Sequence, residues 1–566
     1  MRRWLIVLLA VVVAISLAPT KAAQAASIIK TDDGLEFKMG LAQKVVFFTV
    51  DGLDLTSDQP ACGGKDCNFR SFISPDSQVG NNPIGIWNFT NLLFDLSKGP
   101  VSIHVNLELE AAMDENIADI NALNVERANL TWKTGVIGDL IVGFDVHLLD
   151  PEGGLVYQDE DPGIWLIGNA GIISWNLGYH KRLERNRGAP LGNLVGGFGT
   201  LADGRVKSTD VDTDIFEARL GFNLGVPGAS FSVSPFFLAH IRHTPGASGA
   251  KIFSCPTQGL GLGGDCAGAP VVDGRLRGEI YYPGLVLAAK LGPFSFTAEG
   301  VGQFGEIREI GSGFQTVYGA GVNDLDIESY AVFGELALDL TAQGIGITPF
   351  LNVDWRRGDT NPTDRNLEGF VPISDLSAAL RKDGFKGQSI SSLGPPPLGA
   401  GGEDGWGFNT GGRGVGPTIG SILEGFGGIP GADATFFNSR WGKADNPGLL
   451  KISGGILGKI TPQVDMKAAV SYFRYDTTAP IKEEACRNLN SRGILCASAG
   501  ALQVREDMGV EFNANIGWSP VPAFRIQPFV SIFVPLDAAE DINALFLGAS
   551  RSRDAYLAGV EFRAQF

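Results

Sequence analysis

Strict alternation of apolar and polar residues constrains the fold of this chain more than any other feature. From Val101 to Glu110 every odd position is apolar, whereas the even positions hold Ser, His, Asn and two Glu. Successive side chains of a β-strand point to opposite faces, so a strand here would have one aliphatic face and one polar face. A helix would distribute both sets around its axis. The segment is therefore predicted to be a β-strand.

The same alternation recurs in segments of about ten residues, the length of a membrane-spanning strand. It is found at residues 35–41, 127–133, 142–148, 216–224, 510–518 and 556–566. Soluble antiparallel sandwiches also alternate. Here, however, the polar face carries many full charges, and aromatic residues stand near the strand ends, namely Trp132, Trp175, Tyr179, Trp355, Trp518 and Tyr556. A polar interior and aromatic girdles are typical of membrane barrels. The predicted fold is an all-β, transmembrane, antiparallel up-and-down β-barrel.

Turns rich in Gly, Pro, Asp and Ser separate the predicted strands, and short turns alternate with long connections. In bacterial barrels the short turns are periplasmic and the long loops extracellular. This rule predicts eighteen strands, near residues 34–48, 84–94, 101–110, 123–134, 138–149, 162–168, 172–183, 213–225, 231–243, 276–290, 293–305, 325–340, 346–357, 448–459, 464–476, 507–518, 522–534 and 553–566. Barrels of about 16 to 18 strands are wide enough for an aqueous channel. The strand count therefore predicts a pore.

The N-terminus is typical of an exported protein. Arg2 and Arg3 precede an apolar run that ends at Leu17, and Ala23-Gln24-Ala25 follows. This pattern predicts a signal peptide over residues 1–25, which leaves a single barrel domain over residues 26–566. We expect the bacterial outer membrane as the location, with outer-membrane lipid, lipopolysaccharide and the barrel insertion machinery as partners. The net charge of −17 disfavours nucleic acid, because phosphate binding needs clustered basic residues.

Two features of the predicted outer loops bear on function. The six cysteines form three local pairs, which in an exported protein indicate the disulfides Cys62–Cys67, Cys255–Cys266 and Cys486–Cys496. Zinc would require close pairs with further His or Cys ligands nearby. The second feature is the loop at 358–447, which is far longer than ordinary connections. Two alternatives stay open for this loop: it folds into the lumen and narrows it, or it extends over the surface.

Alternation along the strands assigns a set of charged and histidine residues to the lumen. The set is His104, Glu108, Glu110, Arg127, Lys133, Asp145, His147, Arg182, Glu217, Arg219, Arg242, Glu299, Glu335, Asp354, Arg356, Asp465, Lys467, Glu511, Arg525, Glu561 and Arg563, and Glu279 is predicted to face inward as well. Acidic and basic residues are nearly balanced, so no ring of one sign that would select ions is identified. A monomer and a trimer are equally compatible with this pattern.

Motifs for chemistry are scarce. The histidines fall on different strands, and no Gly-x-Ser-x-Gly elbow or phosphate-binding loop is present. The acidic cluster at 159–161 lacks the ligand spacing of a calcium loop. The sequence therefore predicts no catalytic residues, no metal site and no cofactor, and it leaves calcium binding by the loops open.

Two stretches resemble known outer-membrane proteins. The closing segment, with Tyr556, Val560, Phe562 and the terminal Phe566, resembles the C-terminal β-signal that the outer-membrane insertion machinery recognises. Residues 296–305, followed by Trp355-Arg356-Arg357-Gly358-Asp359, are similar to the alginate-export-like porins. That resemblance implies a large eighteen-stranded porin. In this chain Arg357 stands where that family has Ser, and the lumen set lacks the excess of basic residues that an alginate conduit implies.

Three functions follow from these features. The leading prediction is a water-filled channel for passive diffusion of small hydrophilic solutes or ions, with no enzymatic activity. The second is a substrate-specific channel that exports or takes up an anionic saccharide, and it predicts a positive stripe in the lumen. The third is a structural or adhesive surface protein in which the barrel is only an anchor.

Overall fold

The computed structural model describes residues 27–51, 84–113, 118–149, 152, 154–182, 213–242, 277–308, 322, 324–370, 382, 447–491, 494–547, 552 and 554–566. Three predictions lie outside these residues, namely the signal peptide at 1–25, the pairs Cys62–Cys67 and Cys255–Cys266, and most of the loop at 358–447.

The described residues form twenty strands, two α-helices and two short 3-10 turns. The strands are β1 (Ser27–Lys30), β2 (Leu35–Asp51), β3 (Ile84–Lys98), β4 (Val101–Met113), β5 (Ala118–Lys133), β6 (Asp139–Leu148), β7 (Gln158–Ala170), β8 (Ile173–Arg182), β9 (Thr213–Val226), β10 (Ala229–Arg242), β11 (Arg277–Leu291), β12 (Phe294–Arg308), β13 (Leu325–Leu338), β14 (Ile347–Arg356), β15 (Asn366–Leu367), β16 (Leu449–Thr461), β17 (Val464–Arg474), β18 (Asp507–Val521), β19 (Phe524–Pro535) and β20 (Ala555–Gln565). The helices are α1 (Ala479–Ser491) and α2 (Asp537–Leu547), and the 3-10 turns are Thr341–Gln343 and Ala499–Ala501.

Eighteen of these strands, β2–β14 and β16–β20, form one closed antiparallel barrel. Each strand pairs with its neighbours in chain order, and β2 pairs with β20 from Ala42 opposite Gln565 to Asp51 opposite Tyr556. At the end of this seam, Leu41 and Phe566 exchange two backbone hydrogen bonds of 2.9 and 2.8 Å. The predicted barrel and its eighteen strands are confirmed. The two remaining strands are short, with β1 beside the start of β2 and β15 parallel to the start of β13.

Tight turns close one end of the barrel, and glycine makes several of them possible. Gly171 and Gly228 have φ angles of 62° and 82°, in the left-handed region that other residues rarely adopt. All the long connections lie at the opposite end. Because short turns of bacterial barrels are periplasmic, the turn end is the periplasmic end and the long loops are extracellular.

The barrel has an apolar outside and carries polar side chains on its inside, as β18 illustrates. Phe512 and Ile516 are 46% and 49% exposed on one face, whereas Glu511, Asn513 and Asn515 are buried on the other. A soluble protein buries its apolar face, so this inverted distribution fits a lipid surround. Trp132, Trp175 and Trp518 lie on the outward face near the periplasmic turns, and Tyr179, Trp355 and Tyr556 lie near the outer loops. The protein is therefore located in the bacterial outer membrane.

The two helices lie in the outer loops, where α1 and α2 pack against each other and α2 also contacts β18. Within the described ranges, no helix is both long enough and apolar enough to cross a membrane.

Candidate pore lumen

The face opposite the exposed apolar residues encloses the lumen. The sequence-predicted residues with described side chains lie on this face: His104, Glu108, Arg127, Lys133, Asp145, Glu217, Arg219, Glu299, Glu335, Asp354, Arg356, Asp465, Lys467, Glu511, Arg525, Glu561 and Arg563. The side chains of Glu110, His147, Arg182 and Arg242 lie outside the described part of the structure, although their strands are placed.

The inward prediction is wrong for Glu279. This residue lies on the outward face near the extracellular end of β11, where Tyr281 donates a hydrogen bond of 2.6 Å to its carboxylate. Tyr281 in turn stacks on Phe237, which is exposed on the outside of the barrel. The inward residues of this strand are Ile280 and Tyr282. Alternation failed here because this part of the inner wall is apolar, so polarity no longer distinguishes the two faces.

An apolar cluster covers the inner wall formed by β9–β13. Most of its members come from the wall: Ile215, Phe236, Leu238, Ile280, Tyr282, Val286, Val301, Ile307, Leu325, Ile327, Ala331 and Phe333. Leu149, Leu155, Val156 and Tyr157 come from the connection between β6 and β7, and Leu367 and Phe370 from the segment after β14. All are buried. Two extracellular connections therefore fold inward and pack against one side of the lumen.

The connection between β6 and β7, called here the inward connection, has Leu149, Glu152 and residues 154–157 as its described part. Arg219 of β9 anchors it by donating hydrogen bonds to the Leu149 carbonyl at 3.0 Å and to the Glu152 carboxylate at 2.6 Å. A weaker contact of 3.4 Å joins the Leu155 N–H to Glu299 of β12. The two hydrogen bonds that Arg219 donates are charge-assisted, and such bonds are among the stronger ones in proteins. These hydrogen bonds from Arg219 hold the inward connection against the inner wall.

The long loop at 358–447 also reaches the inner wall. Lys382 forms an ion pair with Glu335, and its backbone N–H donates to the same carboxylate at 3.1 Å. Glu335 lies near the Leu338 end of β13, which is the periplasmic end of that strand. This contact is therefore deep in the barrel, far from the extracellular rim.

The inner wall formed by β14 and β16–β20 carries polar pairs among buried aromatic side chains such as Phe350, Phe473 and Phe533. Three arginine–carboxylate pairs lie on it: Arg356 with Asp354 at 3.1 Å, Arg525 with Asp465 at 2.7 Å, and Arg563 with Glu561. Hydrogen bonds between Ser453 and Ser471 at 2.8 Å and from Ser531 to Glu511 at 2.7 Å lie on the same wall. Each of these arginine charges has a carboxylate beside it. These three arginines therefore form no uncompensated positive stripe on this wall.

Three histidines have described side chains, and two of them, His180 and His240, are the register partners of Ile215 on either side of it. His104 contacts Asp95 at 2.6 Å near the periplasmic end, whereas His180 lies 3.3 Å from the buried carboxylate of Glu217. His240 is buried on β10. Among the described residues, no group of three or more His, Cys, Asp or Glu side chains is arranged to hold a metal ion.

The outer loops next to the closing seam form a small ordered unit. The predicted disulfide Cys486–Cys496 is confirmed, with a Cα–Cα distance of 5.3 Å. Arg505 joins this loop to α2 through two hydrogen bonds of 2.9 Å to Asp541 and an ion pair of 2.8 Å with Asp537. Burial alone would raise the pKa of Asp541, but the hydrogen bonds from Arg505 outweigh it and hold the pKa below the usual 3.8.

Replacing Arg505 with alanine is expected to loosen α2. Because the pKa of Asp541 is lowered in the folded state, the contact stabilises the wild type above the pKa of a free aspartate, and this contribution is lost as the pH falls through the lowered value. Hydrogen exchange in residues 537–547, corrected for intrinsic rates, should be several-fold faster in Arg505→Ala at pH 7. The difference between the two proteins should shrink as the pH falls below 3.8 and should vanish below the lowered pKa of Asp541. Arg505→Lys, which keeps the charge but not the paired contacts, should lie between them.

The residues of the predicted β-signal lie along the closing strand. Val560 and Phe562 are buried on the outward face, where Phe562 packs against Phe47 of β2 at a ring distance of 5.8 Å and Phe524 of β19 at 6.5 Å. Tyr556 is exposed at the extracellular end. The aromatic residues therefore join the last strand to both of its neighbours.

Sequence reasoning did not anticipate the inward connection. The signal that could have identified it is the apolar run Leu155-Val156-Tyr157 inside a predicted extracellular loop. Exposed loops rarely carry several adjacent large apolar residues, so such a run indicates burial against another surface.

No protein-family model matches this chain, and no curated protein matches it at a significant level. Solved structures with a similar arrangement include Pseudomonas aeruginosa OpdK with vanillate, at 9% identity and a TM-score of 0.42 over 94% of this chain and 99% of that one. Pseudomonas aeruginosa OccK11 (OpdR) gives 10% and 0.39 over 96% and 99%, and Pseudomonas putida OprB gives 10% and 0.36 over 94% and 95%. These similarities are too distant to indicate a substrate, and the barrel rests on the strand pairings described above.

Proposed function

We propose that this protein is a porin, an outer-membrane channel through which small hydrophilic solutes or ions diffuse passively and without chemical change. The observation that carries this proposal is the closed eighteen-stranded barrel, which has an apolar outside and carries polar and charged side chains on its inner face. Barrels of this size enclose a water-filled channel unless a plug fills them. The inward side chains of Asp465 and Arg563 are 44% and 53% exposed, so water and hydrated solutes would pass beside them.

We propose further that the inward connection and part of the long loop narrow this channel. Two contacts support this narrowing, because each brings an extracellular segment against the inner wall. They are the hydrogen bond from Arg219 to Leu149 and the ion pair of Lys382 with Glu335. Both contacts are on β9–β13, so the open path would run along the opposite side. The diameter left for solutes would then be smaller than the barrel itself.

A channel specific for an anionic saccharide, as in the alginate-export-like porins, is the second candidate and is less well supported. A polyanion conduit requires an excess of basic groups along its path. On the wall of β14 and β16–β20, the guanidinium groups of Arg356, Arg525 and Arg563 each have a carboxylate partner. These pairs favour weak ion selectivity over strong anion selectivity.

Single-channel recording in planar bilayers tests the proposal. The purified protein should produce stable, ohmic conductance steps with weak preference between potassium and chloride. Strong anion selectivity, with block by a polyuronate, would contradict the passive channel and support the channel specific for an anionic saccharide. The absence of any conductance from a protein whose barrel is folded would contradict both, and would leave the barrel as an anchor for its extracellular loops.

A further inference from the structure

The described part of the outward face of the barrel carries a polar cluster within its apolar band. Gln43 on β2 and Thr90 and Asn88 on β3 lie side by side, with Gln43 opposite Thr90 in the strand register. The Gln43 amide donates to the Asn88 side-chain oxygen at 3.2 Å, and the Asn88 amide donates to the Thr90 hydroxyl at 3.4 Å. These three residues are called the amide patch.

The amide patch does not mark the edge of the membrane. Gln43 lies between Leu41 and Val45 on its face of β2, and the two β3 residues lie between Leu92 and Ile86. Elsewhere on the described outward face, polar side chains stand only at the strand ends, where aromatic and charged residues mark the interfaces. A polar side chain in contact with hydrocarbon is costly, so such residues normally face protein or water.

We infer that the amide patch is the contact surface for a second copy of this chain. The patch is uncharged, so two copies can approach without electrostatic repulsion. Amide and hydroxyl groups each offer a donor and an acceptor, so the same patch is complementary to itself about a symmetry axis, as closed homo-oligomers require. Hydrogen bonds between such groups are a recurrent means of association within membranes.

The register around the patch is compatible with close approach of two barrels. Ala564 of β20 is the register partner of Gln43, and Ala111 of β4 is the register partner of Asn88. Small residues beside polar ones are typical of contacts between membrane segments, because they let backbones come close together. The amide patch therefore lies beside the closing seam with alanine positions on both flanking strands.

Site-specific photocrosslinking tests this inference in lipid vesicles that contain the full-length protein. A photoreactive residue is placed at Val45, which is opposite Asn88 on the outward face, and in a matched control at Leu220, which is 45% exposed on β9. The Val45 variant should give a crosslinked product of twice the chain mass, and the Leu220 variant should not. Crosslinks from Val45 to lipid alone, or to a protein of another mass, would overturn the inference.

A second measurement separates association from stability of the single barrel. The variant Gln43→Leu/Asn88→Leu/Thr90→Val removes the polar groups and keeps side chains of similar size. Its association constant, from single-molecule photobleaching counts at graded dilutions in lipid, should fall by about tenfold. Its barrel should fold as the wild type does, as judged by heat-modifiable mobility in gels. Unchanged association with a folded barrel would show that the patch serves only the single chain, and would overturn the inference.

Discussion

A higher single-channel conductance is the expected result of replacing Leu155 with aspartate. Leu155 is completely buried between the inward connection and the inner wall, and its N–H faces the carboxylate of Glu299. A new carboxylate at this position would be desolvated and would lie close to a like charge. A penalty of at least about 3 kcal/mol is expected from an unpaired buried charge. This penalty would shift the ratio of docked to undocked connection by about a hundredfold.

Bilayer recordings check this prediction at fixed salt and voltage. The aspartate variant should show larger steps, or frequent transitions to a larger step, because the inward connection leaves the wall. Leu155→Met is the matched control, since it keeps the volume and apolar character and should cost less than about 1.5 kcal/mol. Identical conductance of a folded Leu155→Asp barrel and the wild type would mean that the inward connection does not limit the pore.

Loss of the folded barrel is the expected result of replacing Phe562 with aspartate. Phe562 is 9% exposed and joins β20 to both neighbours through Phe47 and Phe524. The variant removes this aromatic packing and places a charge on the lipid face next to the closing seam. Losing a buried aromatic side chain costs about 3–5 kcal/mol, and the charge adds to it. The protein should fail to close both in cells and when refolded from urea into detergent. Phe562→Leu should assemble in both conditions.

Phe566→Ser distinguishes packing from recognition by the insertion machinery. The backbone hydrogen bonds between residue 566 and Leu41 do not depend on the side chain. We therefore expect refolding in detergent close to that of the wild type. If the terminal aromatic residue is part of a β-signal, insertion in cells should nevertheless be impaired. Normal insertion of this variant in cells would contradict the β-signal prediction, whereas failure in both conditions would mean that the side chain is needed for the barrel itself.

The alternation of residues was sufficient to predict the barrel, its strand count and the orientation of most lumen residues. This succeeded because a membrane barrel imposes the same two environments on every strand, lipid outside and water or protein inside, so that each strand repeats the signal. Glu279 was assigned to the wrong face because β11 does not have these two distinct environments. On β11 the inward Ile280 and Tyr282 are apolar, because they pack against segments that enter the barrel.

By itself the sequence determined the closed sheet, its topology and its place in the outer membrane, since these depend on local alternation and on turn residues. Only the tertiary structure decided which side of the lumen is covered by segments that fold into the barrel. This coverage depends on the hydrogen bond from Arg219 to Leu149 and on the ion pair of Lys382 with Glu335. Both join residues that are far apart in the chain. No periodicity encodes such contacts, because they arise when connections from one end of the barrel fold against strands that the closed sheet has brought around them.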